Sequence, residues 1–223
     1  MNRIEALNAL SAQIIGCNLC PRLVQHRVKV ALNPPKRYRD EEYWAKPLPG
    51  FGDPYAKLLI LGLAPAAHGG NRTGRMFTGD SSGAWLVKAL YEIGCANMPM
   101  SVSRSDGLVL NGVYVSAVVR CVPPANKPLT SEVENCSRYL KAELDILRDV
   151  KVVLALGRLA HNTYLSVSGL VSRPFKHGQI IRFDGHSRIL VDSYHPSRQN
   201  TQTGRLTWSM WINVFRDASR LAR

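Results

Sequence analysis

The sequence predicts an α/β fold: a mostly parallel sheet covered by helices on both faces. Three observations carry this. Leu58-Leu59-Ile60-Leu61, Val113-Tyr114-Val115-Ser116-Ala117-Val118-Val119 and Val152-Val153-Leu154-Ala155-Leu156 are short, nearly continuous apolar runs, as strands buried on both faces require. Helical patterns alternate with them. The first run enters a long Gly-rich loop, Gly62 to Asp80, and a helix leaves it. Open α/β proteins build ligand sites at such strand ends.

In chain order, Ile4, Leu7, Leu10, Ile14 and Ile15 recur at helical spacing, so an amphipathic helix is expected over 3–16. Residues 22–46 read as basic and irregular, with Pro34-Pro35 in the middle and Tyr38, Tyr43 and Trp44 interleaved among Arg and Lys. Such a stretch suits either a solvated loop or an electrostatic footprint on nucleic acid. Pro47 to Pro54 is a turn-rich lead-in to the first core strand. A helix is expected over 83–94, and a loop with a short strand over 96–112. The second strand ends in Arg120-Cys121-Val122-Pro123-Pro124-Ala125-Asn126-Lys127-Pro128, where three prolines favour a rigid loop. Thr130 or Ser131 suits the N-cap of the next helix, with Glu132 and Glu134 in its first turn. A third strand and helix follow, then strand-like 179–183 and 188–192 around Asp184-Gly185 as a candidate hairpin. The last strand delivers Ser193-Tyr194-His195 and the polar run to Gly204, and a final helix begins near Arg205.

The chain has 223 residues, with 29 Lys+Arg against 16 Asp+Glu and a formal net charge of +13. That length suits one domain over 1–223 with a sizeable core, without repeats or a linker. The charge points to a polyanionic partner. No apolar run reaches membrane-spanning length and no signal-peptide core precedes the first helix, so a cytoplasmic protein with no membrane association is expected.

The Gly62–Asp80 loop matches neither the P-loop nor the dinucleotide-binding glycine pattern, so its ligand is not an ordinary nucleotide phosphate. The cysteines form a C-x2-C pair, Cys17 and Cys20, and a later pair, Cys121 and Cys136, separated by fourteen residues. In a reducing compartment such thiols are ligands or buried side chains rather than disulfides. Four thiolates suit tetrahedral zinc or a [4Fe-4S] cluster, and the wide second spacing does not favour zinc. Cys95 reads as a small buried hydrophobe.

These stretches resemble the family 5 uracil-DNA glycosylases, iron–sulfur members of the uracil-DNA glycosylase superfamily. The resemblance runs through Cys17-Asn18-Leu19-Cys20-Pro21-Arg22-Leu23, Gly62 to Asp80, Val119 to Pro128, Ala155-Leu156-Gly157 and His195 to Thr203, in the family's order. It implies a three-layer α/β/α sandwich around a four-stranded sheet and a [4Fe-4S] cluster on Cys17, Cys20, Cys121 and Cys136. It also implies a monomer that hydrolyses the N-glycosidic bond of a deaminated base in double-stranded DNA. A non-catalytic iron–sulfur nucleic-acid-binding protein is the alternative.

A glycosylase must extrude the nucleotide before it can reach C1′. On that reading Phe77 stacks on the base, while Gly62, Ala64 and Ala66 let the backbone come close. Arg198, Gln199 and Asn200 fill the vacated space or hold phosphates. His195 is the expected donor to the departing base. Asp80 is expected to orient water and stabilise the sugar cation, although the same sequence suits a helix N-cap. Asn126 matches a family active-site position that holds the water or contacts the phosphate. Two departures bear on specificity. Ala117 stands where members strict for uracil carry Asn, so purines such as hypoxanthine and xanthine are expected to enter. Leu63 stands where related iron–sulfur members carry Glu, which leaves the water-handling role to Asp80.

Overall fold

The computed structural model describes residues 2–223. The chain begins with helix α1 (Arg3–Ile15), whose first turn is closed reciprocally by Asn2 and Glu5. Helix α2 (Pro21–Leu32) follows, then strands β1 (Phe51–Gly52) and β2 (Leu58–Gly62). The loop after β2 contains a single helical turn, α3 (Gly70–Thr73), before α4 (Ser81–Glu92). Next come β3 (Val113–Ala117), α5 (Thr130–Ile146), β4 (Val152–Leu156) and α6 (Arg158–Val167). The chain closes with β5 (Ile180–Ile181), β6 (Ile189–Ser193), α7 (Arg198–Gln202) and α8 (Trp208–Ala222).

The six strands form one sheet in the order β1-β3-β2-β4-β6-β5. The four central strands are parallel, and the outer two pair antiparallel at the edges. The expected sheet of four strands is therefore corrected to six. Of the two additional strands, β5 falls within the strand-like stretch 179–183 and pairs antiparallel with β6 as the candidate hairpin required, whereas β1 is two residues long, too short to carry a periodic signal.

Side-chain alternation divides each central strand between two cores. Leu59, Leu61, Val153 and Ala155 pack with α1, α5 and α6, while Leu58, Ile60, Val152 and Leu154 pack with α4 and α8. Burial on both faces explains the unbroken apolar runs. Helix α4, which leaves β2, and helix α6, which leaves β4, lie on opposite faces. The adjacent carboxyl ends of β2 and β4 are therefore a topological switch point, where open α/β sheets form a ligand crevice.

Several local expectations are corrected. Part of the basic segment is helical: α2 starts on Pro21, which suits a first helical position, and buries only Leu23 and Arg27. That apolar stripe is too narrow to stand out from the sequence. Helix α5 is capped at Leu129, whose N–H donates to Glu132 Oε2 at 2.7 Å, so neither Thr130 nor Ser131 is the cap. The final helix starts at Trp208 behind a Thr207 cap, and Arg198 to Gln202 form the separate short helix α7. Residues 96–112 contain only an isolated bridge, Ala96 to Leu110. Cys95 is half-buried rather than enclosed. No helix among the described residues is long and apolar enough to cross a membrane.

Candidate active site and four-cysteine pocket

The loop after β2 is shaped by contacts that need its small residues. Phe77 adopts a left-handed backbone, φ 51°, a conformation that costs energy outside glycine and is retained where surrounding structure imposes it. Its ring rests on the end of β2: a Cβ on Gly62 would lie 2.7 Å from Phe77 Cζ. The same ring stands 6.0 Å from the His195 ring, centroid to centroid, with the planes tilted by 31°. Gly62 is aligned with Ala117 across β2 and β3, so Ala117 is buried beside the base of this wall. Ala64 instead packs toward the opposite core, and Ala66 uses its carbonyl to accept the Asn71 N–H.

Asp80 is the N-cap of α4. Its Oδ1 accepts the Gly83 N–H at 2.9 Å. Its Oδ2 lies against Gly69, where a Cβ would approach to 1.9 Å, so only glycine fits there. Burial raises the Asp80 pKa, against the pull of the Gly83 and Ser82 N–H groups and of Arg198 and Arg72. The capping role anticipated from Asp-Ser-Ser-Gly is thus present.

Strand β6 carries the chain to His195, beside the start of α6: a Cβ on Gly157 would lie 3.7 Å from His195 Cβ. Asn200 Nδ2 donates to His195 O at 2.8 Å and Ser82 Oγ to Pro196 O at 3.0 Å. These bonds tie the 195–204 loop to itself and to the start of α4. Asn200 is therefore engaged internally, whereas Arg198 and Gln199 are exposed. Desolvation pushes the His195 pKa down to about 4, so the imidazole is neutral at physiological pH and keeps one N–H to donate.

The structure brings Gly62, Phe77, Ala117 and His195 together, with Asp80 and Arg198 close enough to influence each other electrostatically. It does not join Asn126 to them by any hydrogen bond among the described residues. Asn126 sits on an exposed turn in which both it and Ala125 have left-handed backbones, φ 56° and 52°.

Sequence reasoning missed one brace of the Gly62–Asp80 loop and one buried polar pair. Tyr43 Oη lies 2.9 Å from His68 Nδ1, and Arg72 stacks 4.1 Å over the Tyr38 ring while pairing with Glu41. The Trp44 and Ala45 N–H groups donate to Arg72 and Asn71 carbonyls. The aromatics interleaved in the basic segment thus brace the loop, and their spacing was the available signal. The buried pair ties α6 to β6, with His161 Nδ1 2.9 Å from Asp192 Oδ1. A helix and a strand distant in sequence supply it, which no local pattern reveals.

The four cysteines meet on the other face of the sheet. Cys17 and Cys20 bracket the α1–α2 turn, Cys121 follows β3 and Cys136 lies on α5. All four line one small, apolar pocket with Arg27 and Arg120. No three His, Cys, Asp or Glu side chains among the described residues are gathered tightly enough to hold one metal ion. The two arginines are the informative neighbours. Arg120 is paired with Glu143 through bonds of 3.0 and 2.6 Å, reinforced by Ser116 Oγ at 2.6 Å from Glu143. Arg27 is also buried but reaches only Cys121 Sγ, at 3.2 Å, and Asn18 Oδ1, at 2.8 Å. The Nε of each arginine is buried without a partner. A buried cation without a carboxylate is costly, so the pocket is built for an anionic occupant. Burial pushes the Cys121 thiol up to about 11, against the pull of Arg27, and raises Cys136, so binding there must displace protons.

Comparison with known proteins agrees with this geometry. Residues 49–218 match the model of the uracil DNA glycosylase superfamily. The chain is 50% identical over 211 residues to a type-5 uracil-DNA glycosylase of Thermus thermophilus, covering 94% of this chain and 95% of that one. It is 46% identical over 207 residues to a type-5 enzyme of Pyrobaculum aerophilum, covering 93% and 89%. A type-4 uracil-DNA glycosylase of Sulfurisphaera tokodaii is 25% identical over 199 residues, covering 87% and 76%. The strand-end crevice, its aromatic wall and the sequence matches together identify the chain: it belongs to the uracil DNA glycosylase superfamily and, within it, to the type-5 uracil-DNA glycosylases.

Proposed function

We propose that the protein removes deaminated bases from double-stranded DNA with broad base tolerance, taking uracil and also hypoxanthine and xanthine, and leaves an abasic site. The observation that carries the tolerance is Ala117. It is buried at the carboxyl end of β3, in register with Gly62 and therefore beside Phe77. A methyl group there makes no hydrogen bond to a base edge, and a site without a dedicated polar partner rejects poorly. Phe77 supplies a sequence-tolerant stacking surface for either ring system.

In the proposed chemistry the glycosidic bond breaks with negative charge growing on the base and positive charge on the sugar. Neutral His195 donates to the base oxygen. Asp80 stabilises the sugar cation and orients the water whose oxygen bonds to C1′; the water proton passes to the departing base or to solvent. Asn126, on its exposed turn, contacts the flanking phosphate or the water.

Duplexes carrying uracil, hypoxanthine or xanthine, treated with the protein and then with alkali, test this reading. Strand cleavage at all three bases is expected, and no release of uracil from free deoxyuridine. Cleavage confined to uracil would overturn the tolerance and its assignment to Ala117.

The four-cysteine pocket fits a [4Fe-4S] cluster. A [4Fe-4S] core bound by four thiolates carries net negative charge, which would answer the buried Arg27 guanidinium that has no carboxylate of its own. Cys17 and Cys20 of the α1–α2 turn, Cys121 after β3 and Cys136 on α5 would hold the cluster, which would then cross-link these elements. Protein purified without oxygen is expected to be brown, with a broad absorbance at about 400 nm. Colourless protein with stoichiometric zinc would refute the cluster.

A further inference from the structure

The excursion between α4 and β3 approaches the active-site loop from outside. Its arms are held together at Asn97, whose N–H donates to Val109 O at 3.2 Å and whose Nδ2 donates to Gly107 O at 2.9 Å. Its tip is locked by Asp106. That carboxylate accepts the N–H groups of Val102, Ser103 and Leu108, at 2.8, 3.2 and 3.0 Å, and Arg75 Nη2 at 2.6 Å. Burial works to raise the Asp106 pKa, but Arg75 and these N–H groups outweigh it and hold the carboxyl at about 2.

At the centre of the tip, Ser101 is buried. Its Oγ lies 2.7 Å from Thr78 Oγ1 and 2.7 Å from Arg75 Nη2, and its carbonyl accepts the Gly79 N–H at 3.1 Å. Ser101 is thereby fastened to the two residues between Phe77 and Asp80. The residues on either side of it, Met100 and Val102, are 66% and 62% exposed. A tip braced by this many bonds thus holds two large apolar side chains in solvent next to the site. By contrast, the 198–204 loop offers only polar side chains and a glycine.

We propose that Met100 and Val102 form an apolar wedge that enters the base stack of duplex DNA beside the extruded nucleotide. The inference rests on the base-excision reading given above. Apolar side chains inserted between base steps are an established way for proteins to unstack a duplex. Charge selects DNA over a protein partner. Trp44, beside the tip, is flanked by Arg104, 4.8 Å from its ring centroid, and by Lys46 at 5.6 Å. The one acidic residue of the excursion, Asp106, is sequestered by Arg75, and the chain as a whole carries +13.

The test compares single-turnover excision of uracil from a duplex and from the same strand without its complement. In a Met100→Ala/Val102→Ala double variant the duplex rate is expected to fall at least ~10-fold further than the single-strand rate, because only the duplex must be unstacked. Met100→Leu should retain most of the duplex rate. A 2-aminopurine beside the uracil should lose its fluorescence rise in the double variant. Equal losses on both substrates would mark damage to the site and overturn the wedge, as would unchanged rates. Unchanged duplex excision with an altered oligomeric state would assign the patch to a second copy of the chain. Wild-type protein inactive on both substrates would overturn the excision reading itself, a result distinct from failure of the wedge alone.

Discussion

His195→Ala is expected to slow single-turnover excision of uracil from duplex DNA by about 100-fold, with little change in affinity for a duplex carrying an uncleavable abasic analogue. The magnitude is that of a pre-positioned donor to an oxyanion, about 3 kcal/mol of barrier. Geometry and protonation both favour this assignment. The ring stands beside Phe77, where a stacked base would present its edge, and desolvation keeps it neutral down to about pH 4. A neutral imidazole donates without having carried a charge that must first be lost. His195→Ala should therefore leave the position of the acidic limb of the pH–rate profile unchanged. Its backbone is held separately by Asn200, so the loop keeps its course without the ring. An excision rate within a few-fold of wild type would remove His195 from the chemistry.

Asp80 requires a pair of variants, because its carboxylate caps α4 while facing the loop. Asp80→Asn keeps a side-chain oxygen for the Gly83 N–H, since asparagine caps as well as aspartate. It removes the negative charge. Asp80→Ala removes both functions. Single-turnover excision is expected to fall at least ~10-fold in each, as for an interaction made mainly in the transition state. Only Asp80→Ala should also lose stability, by about 1 kcal/mol, as expected for a missing cap. The Asp80 pKa is raised by burial, and the carboxylate is the active form. Excision should therefore rise with pH through a value above the ordinary carboxylate range. That limb should disappear in Asp80→Asn. Wild-type excision by Asp80→Asn would leave the residue as a cap alone.

Much of the molecule was legible from sequence because local pattern and final environment agree. The central strands are buried on both faces, so their sequences are continuously apolar. Helix α1 shows its apolar spacing. Elements that violate such agreement escaped notice: the two-residue edge strand β1, and the narrowly amphipathic α2 hidden in a basic stretch. At the site, the residue types were legible but their partners were not. Phe77 and His195 come from opposite halves of the chain and meet only because β2 and β6 flank β4 in parallel. Asn126 shows the reverse case, a motif residue placed on an exposed turn without a bond to the others.

By itself the sequence determined the fold class, the four-cysteine set, the Gly62–Asp80 motif and the family to which these belong. These are properties of residue type and spacing, which persist without knowledge of contacts. Tertiary structure alone decided that the second carboxylate oxygen of Asp80 lies against Gly69. It alone decided that Arg27 has no carboxylate in the cysteine pocket, and that Ser101 fastens an exposed apolar tip to the active-site loop. Each of these depends on which residues distant in the sequence are brought together. Which donor meets which acceptor depends on strand order and on which face each helix covers, and no local periodicity records that choice.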